Sequence, residues 1–359
     1  MAIYKKLEAK PAPSNTKGPI KWIRENLFPS VTSSILTILS LLLIYNTLPP
    51  LLDWMVFDAT WSGTKEEITK DGARWIFIYE KFNQFIYGFY PEELYWRPNL
   101  IFVFFVVSII AFKKFKHVKA RAVILILFPI VSFILLYGGF GLEIVPTSNW
   151  GGLLLTVVVA AVGIVVSFPI GILFALGRQS KMPIIKTISV VYIEFIRGVP
   201  LITLLFMASV ILPLFFPEGM TFDKLLRALI GVTLFQAAYI AEVIRGGLQA
   251  IPKGQYEACD SIGLSYWQAM GLVILPQALK ISIPNIVGSF VALFKDTTLV
   301  LIIGLFDVLA MVNLTTTDPN WLGFATEGYV FVTIIYWIIC FSMSKYAQSV
   351  EKRFNTEHK

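Results

Sequence analysis

The chain of 359 residues is 56% hydrophobic and only 15% charged, with a mean hydropathy of +0.72, a balance that excludes a soluble globular domain. Its net charge of +7 does not indicate a nucleic-acid surface, because the basic residues fall in short clusters between apolar runs, as the positive-inside rule expects. Two cysteines, Cys259 and Cys340, and two histidines, His117 and His358, are too few to build a disulfide framework, a metal site or a His-based triad.

Residues 1–30 are polar and basic, and Lys5, Lys6, Lys17, Lys21 and Arg24 assign them to the cytoplasmic side. The first apolar run starts too far in for a secretory signal. It reads as a retained anchor, Val31 to Leu52, close to the roughly 20 residues a bilayer requires. The chain then emerges near Asp53 into an outside segment, 53–97, that does not span and is dense in aromatics from Trp54 to Trp96. Such rings favour packing at the headgroup level over contact with a binding protein. A second span, Pro98 to Phe112, precedes the strongest inside marker of the chain, Lys113, Lys114, Lys116, Lys119 and Arg121. A third, Ala122 to Leu142, returns the chain outside. Residues 31–149 thus form a three-helix extension with almost no buried polar groups expected.

The remainder, 150–345, reads as a five-helix core followed by a cytoplasmic tail, 346–359. Its first span, Gly152 to Gly177, is rich in small residues that permit close helix contacts in lipid, and Arg178, Lys181 and Lys186 mark its inner end. An amphipathic inside piece, Pro183 to Arg197, leads to a span that Pro200 opens and that reaches Phe216. The next spans are Leu225 to Leu248, Ile281 to Phe306 and Gly328 to Ser344. A polar loop, 250–276, lies inside, and a loop with Asp307, Asp318, Asn320 and Trp321 lies outside. With both termini cytoplasmic, about eight spans satisfy every basic cluster. The fold class is an all-α integral membrane protein.

The loop from Ala250 to Pro276 has the punctuation of a docking element. Pro252 suits a first helical turn, Gly263 a left-handed stop, and Ser265 with Gln268 a capping box. Two short helices at an angle are expected. On the first, Ala258, Cys259 and Ile262 share one side while Glu257, Asp260 and Ser261 share the other, so one face can pack and the other can meet water.

Glu257-Ala258-Cys259 with Gly263 four residues on, and Leu275-Pro276 beyond, resemble the EAA-x3-G signature of ABC importer permeases, with Cys259 where Ala is usual. Tyr239-Ile240-Ala241-Glu242, Arg245-Gly246-Gly247 and Lys295-Asp296-Thr297-Thr298-Leu299 resemble the polar amino-acid branch of that family. So does Arg197-Gly198-Val199-Pro200-Leu201, with Val199 replacing Thr. The resemblance covers residues 150–359 and implies a type I importer permease core of the inner membrane. The extension looks like that of the larger permease of general L-amino-acid or glutamate/aspartate systems.

By this resemblance Glu257, Ala258, Cys259, Asp260, Gly263 and Pro276 belong to a coupling helix docked on a separate ATPase dimer, which would hold the ATP and Mg. This chain itself would carry no cofactor and no metal. The implied partners are that ATPase, a second permease forming a heterodimer, a periplasmic solute-binding protein, a polar L-amino acid as substrate, and membrane lipid. Transport would follow alternating access driven by closure of the ATPase dimer. An ion-coupled secondary transporter and a structural subunit of a larger membrane complex are the other classes open to the chain, although no convincing repeat links its halves.

No phosphate-binding Gly-x4-Gly-Lys-Ser/Thr loop is present, so energy must come from elsewhere and an enzyme is not expected. Lys295 and Asp296 are expected near the middle of a span, where a charge costs at least about 2.5–3.5 kcal/mol and must face a cavity or a partner. A cavity offering both signs suits a free amino acid, and an interhelical ion pair suits the same two residues equally. Gln236 and Tyr239, three apart on one span, are pathway candidates or ordinary interhelical hydrogen-bonding groups. Glu242 and Arg245, also three apart, form a favourable same-helix pair, and with Arg197 they read as gating or structural residues.

Overall fold

The computed structural model describes residues 18–62, 72–114, 118–217 and 222–356. The sequence expectations for residues 1–17, for the 63–71 part of the aromatic outside segment, for Lys116 and His117, and for 357–359 lie outside these. The described residues are helical, with no β-strand among them beyond isolated bridges. The chain divides into two compact units, 1–76 and 77–359.

In the first unit, α1 (Pro19–Asn26) precedes α2 (Val31–Leu52). Ser30 caps α2 by accepting the Ser33 amide at 3.2 Å. The expected bounds of this span hold, but the helix does not release the chain at Asp53. Pro49 and Pro50 remove two amide donors, and a π-helical turn, Asp53–Phe57, prolongs the rod. Beyond it Trp75 donates its indole N–H to the Met55 carbonyl at 2.9 Å, and the rings of Trp54 and Trp61 gather on Trp75.

The second unit opens with α3 (Ile76–Tyr87), α4 (Trp96–Lys114) and α5 (Val118–Tyr137). The expected third span ends five residues early, because Gly138, Gly139 and Gly141 take positive φ angles and turn the chain after Tyr137. The core follows: α6 (Gly152–Gln179), α7 (Pro183–Gly198), α8 (Leu201–Phe206, continued by π and 3-10 turns to Phe215), α9 (Lys224–Gln249), α10 (Lys253–Ser261), α11 (Tyr266–Ala269), α12 (Leu275–Asp296), α13 (Val308–Thr316) and α14 (Ala325–Thr356). Six helical stretches among the described residues are long and apolar enough to cross a membrane. The α7–α8 pair, bent by 106°, makes a seventh if counted as one span, and Ile126–Tyr137 is a shorter apolar helix.

The most extensive pairing is α6 on α9, and α9 in turn packs on α12 and α12 on α14. Small residues make the α6–α9 approach close: a β-carbon at Gly171 would lie 2.6 Å from Ile240 Cγ2, and one at Gly163 would lie 2.9 Å from Val232 Cγ1. Two apolar cores result. One gathers Leu155, Leu205, Val232 and Val300, and the other gathers Ile193, Ile240, Ile244 and Ile274.

Three expectations are corrected here. Part of the aromatic segment is core rather than interfacial: Phe77 and Phe85 are fully buried, and their rings contact Trp321, Phe324 and Phe331. A neighbouring hydrophobic cluster, absent from any local window, was the missing information. The extension does bury a charge, because Arg97 is 2% exposed and donates from Nη1 to the Glu143 carbonyl at 2.7 Å. Finally, the loop from Asp307 to Trp321 contains a helix, α13, capped by a buried Asp307 that accepts the Ala310 amide at 2.9 Å.

Candidate functional site

The 250–276 segment is built as a rigid projection from α9 and α12. Pro252 stands at the N-cap of α10 rather than within its first turn. Gly263 has φ +75°, its amide donates to the Asp260 carbonyl, and the Leu264 amide reaches back to the Cys259 carbonyl at 3.1 Å, a left-handed helix stop. The Ser265 amide and hydroxyl both meet Gln268 Oε1 at 2.9 Å, so the reciprocal cap starts α11. Gln277 Nε2 bonds Gln255 Oε1 at 3.1 Å and ties α10 to the start of α12, where Pro276 lies exposed.

Cys259 is buried in the second core, and half-buried Tyr256 flanks it. Burial pushes the Tyr256 phenol above its ordinary pKa. The expected packing face is otherwise wrong, since Ala258 is exposed and Ile262 is 73% exposed. The nine-residue helix rests on the Tyr256–Cys259 line, three residues apart, so Ala258 and Ile262 turn outward with Glu257 and Asp260. With Trp267 and Leu272 also exposed, the outer surface mixes two acids with large apolar groups.

Towards the same end of the core, Glu242 on α9 collects three guanidinium groups. Arg245 Nη2 lies 2.5 Å away, Arg178 Nη1 of α6 3.3 Å and Arg197 Nη1 of α7 3.7 Å, and Arg178 also meets Glu194 at 2.8 Å. The Glu242–Arg245 pair was legible from spacing. Arg178 and Glu194 were not, because a basic residue after an apolar run reads as a topology marker and nothing local reveals that α6 and α7 converge on α9.

The structure gives Gln236 and Tyr239 different neighbours. Gln236, 2% exposed, donates to the Ser289 hydroxyl of α12 at 3.0 Å, an interhelical hydrogen bond. Tyr239 lies beside Phe235 and beneath the Arg197 guanidinium, 5.7 Å from the ring centroid, and so belongs with the arginine cluster.

Lys295 and Asp296 are not in the middle of a helix. α12 ends at Asp296 and tightens into a 3-10 segment, Thr297–Ile303, as the Thr297 and Thr298 hydroxyls bond back to the carbonyls of Phe294 and Lys295. Lys295 is exposed and Asp296 half-buried, and neither forms an ion pair among the described residues. Among the described residues the interhelical ion-pair role is unfilled.

One polar centre escaped the sequence reading. The fully buried Asp307 accepts from the Tyr336 hydroxyl of α14 at 3.3 Å, while the neighbouring Val308 amide donates to the Thr156 hydroxyl of α6 at 3.2 Å. Burial raises the pKa of the Asp307 carboxyl despite the amides that it accepts.

Residues 167–356 match the family described as binding-protein-dependent transport system inner membrane component. The chain is 55% identical to the inner membrane amino-acid ABC transporter permease protein YhdY of Escherichia coli (strain K12), over 97% of this chain and 96% of that one. It is 40% identical to the glutamate/glutamine/aspartate/asparagine transport system permease protein BztC of Rhodobacter capsulatus, over 98% of each. A solved amino acid ABC transporter with histidines superposes with a TM-score of 0.50 at 29% identity, covering 56% of this chain and 92% of that one. The first two likenesses take in the extension as well as the core, whereas the family match lies within the core. The chain therefore belongs to the inner-membrane permease components of binding-protein-dependent ABC transport systems, a family of multi-pass transport subunits rather than enzymes.

Proposed function

We propose that this chain is the permease subunit that passes polar L-amino acids, broadly or of the glutamate/aspartate kind, from a periplasmic binding protein to the cytoplasm. The reading draws on the names of the relatives just given and on one structural observation. The 250–276 projection is held rigid by Cys259, Gly263 and the Ser265–Gln268 cap, yet it leaves Glu257, Asp260, Ile262 and Trp267 uncovered. In this reading that surface docks on an ATPase dimer, which binds ATP and Mg, and both termini lie on the same, cytoplasmic side. Glu257 supplies a polar contact there, and Ala258, Cys259, Asp260, Gly263 and Pro276 shape the docking element. A second, non-identical permease completes the pathway.

Lys295 and Asp296 offer both signs of charge to a zwitterionic substrate, since neither is spent on an ion pair among the described residues. Gln236 and Tyr239 support the walls of the pathway. Arg197, Glu242 and Arg245 hold α7 against α9 where the projection leaves the core. Alternating access then amounts to motion of the projection transmitted to α9 and α12, the two helices it joins. The test is co-purification and uptake in proteoliposomes. An ATPase chain should co-elute, and uptake of a labelled polar amino acid should require ATP hydrolysis. Uptake driven by an ion gradient without ATP would overturn the reading.

A further inference from the structure

The first unit contains an amphipathic helix that the transport reading does not use. At about 100° per residue, Pro19, Ile20, Trp22 and Ile23 occupy one side of α1, and Lys21, Arg24 and Glu25 occupy the other. Asn26, on the apolar side, spends its amide on the Trp22 carbonyl at 2.8 Å. Lys21 and Glu25 pair across one turn of the polar side at 3.4 Å. No residue of α1 is buried, and Ile20 and Trp22 are 78% and 59% exposed, so the apolar side has no cover among the described residues of its unit.

The connector decides what lies beneath it. The Thr37 hydroxyl donates to the Leu27 carbonyl at 2.6 Å. Thr37 stands six residues into α2, about 9 Å along its axis at 1.5 Å per residue. The chain therefore leaves α1 beside the second turn of α2, rises to the Ser30 cap and descends again. The opening Val31-Thr32-Ser33-Ser34 of α2 is largely polar, and from Ile35 to Tyr45 the helix is apolar apart from Thr37 and Ser40. The end of α1 is thus tied to the second turn of α2, close to where the polar opening of that helix gives way to its apolar stretch. Residues 1–30 carry six basic and two acidic side chains, which suits an anionic surface.

We propose that α1 lies in the membrane interface, with Ile20, Trp22 and Ile23 among the acyl chains and Lys21 and Arg24 against anionic headgroups. The helix sets the rotation and depth of α2 by holding its first turns at a fixed level. The partner is the lipid surface itself, and the inference stands apart from the transport reading.

The test uses the full chain in vesicles of phosphatidylcholine, with and without phosphatidylglycerol. An environment-sensitive fluorescent amino acid is placed singly at positions 20, 21, 23 and 24 and quenched either by shallow nitroxide-labelled lipid or by aqueous iodide. Positions 20 and 23 should favour the lipid quencher over iodide by at least about twofold relative to 21 and 24. Equal iodide access at all four positions would overturn the proposal, as would protection of 20 and 23 from both quenchers, the signature of a protein cover. Lys21→Gln with Arg24→Gln should weaken the lipid quenching at position 23 in phosphatidylglycerol vesicles and leave it unchanged in pure phosphatidylcholine. Indifference to the substitutions in both lipids would remove the anionic headgroups from the proposal.

Discussion

The Arg245 guanidinium holds the Glu242 carboxylate with two hydrogen bonds, Nη2 to Oε1 at 2.5 Å and Nε to Oε2 at 2.9 Å. Because Arg178 and Arg197 approach the same carboxylate from other helices, Glu242 joins three cations that would otherwise repel each other, with Glu194 offsetting Arg178 as well.

Glu242→Gln is therefore expected to destabilise the protein by about 1–3 kcal/mol, less than for a fully buried pair because about a fifth of the side chain is exposed. Thermal unfolding in nanodiscs should show a lowered midpoint together with loss of uptake. An unchanged midpoint would mean that the cluster does not hold α6, α7 and α9 together.

Sidedness can be checked by labelling. Cysteines placed at Lys181 and Lys253 should be shielded from an impermeant reagent added outside, and one at Glu143 should react. Reaction at position 253 from outside would invert the orientation and leave the 250–276 projection on the wrong side for an ATPase.

Gly263 separates conformation from contact. Nothing lies within 4 Å of where its β-carbon would stand, so a substitution meets the cost of positive φ, about 1–2 kcal/mol, and no clash within the chain. Gly263→Asn, which tolerates that backbone, should keep most activity, and Gly263→Val should uncouple ATP hydrolysis from uptake without disturbing membrane insertion. Substrate-stimulated ATPase and uptake measured in the same liposomes test both. Coupled activity at the wild-type level in the valine variant would remove the docking role.

Lys295→Met breaks no ion pair among the described residues, so stability should change by no more than about 0.5 kcal/mol. Uptake should nevertheless fall if the ammonium meets the substrate carboxylate. Failure of the complex to assemble would instead place Lys295 at a contact with the second permease.

Asp307 predicts a pH effect. A buried acid with a raised pKa binds its proton more tightly when folded, so this group favours the folded state as pH falls through the raised value and ceases to do so as pH rises above it. Asp307→Asn can still accept the Ala310 amide and should remove that component. The wild-type stability should therefore decline relative to the variant as pH rises from the ordinary aspartate range through the raised value, as read by thermal unfolding. Parallel pH profiles would contradict it. Asp307→Ala should remove the same pH-dependent component and cost about 1 kcal/mol relative to Asp307→Asn through the lost cap.

What the sequence determined by itself was everything carried by local patterning. Runs of apolar residues set where α2, α6, α9 and α14 lie, because burying backbone in lipid leaves few alternatives to a helix of about 20 residues. Gly263 and the Ser265–Gln268 pair marked the turn and the cap, since each acts through its own backbone neighbours. The i, i+3 spacing likewise announced the Glu242–Arg245 contact.

Only the tertiary structure decided which face of α10 packs, that Phe77 and Phe85 enter a core with Trp321, and that Arg178 shares a carboxylate 64 residues away. It also ended α12 at Asp296, where a hydropathy window sees an unbroken span into Ile303. These outcomes depend on which helices adjoin, and helix adjacency is set by packing between residues far apart in the chain. A buried Asp307 looks in sequence like any loop acid, and it becomes a polar centre only when α6, α13 and α14 close around it.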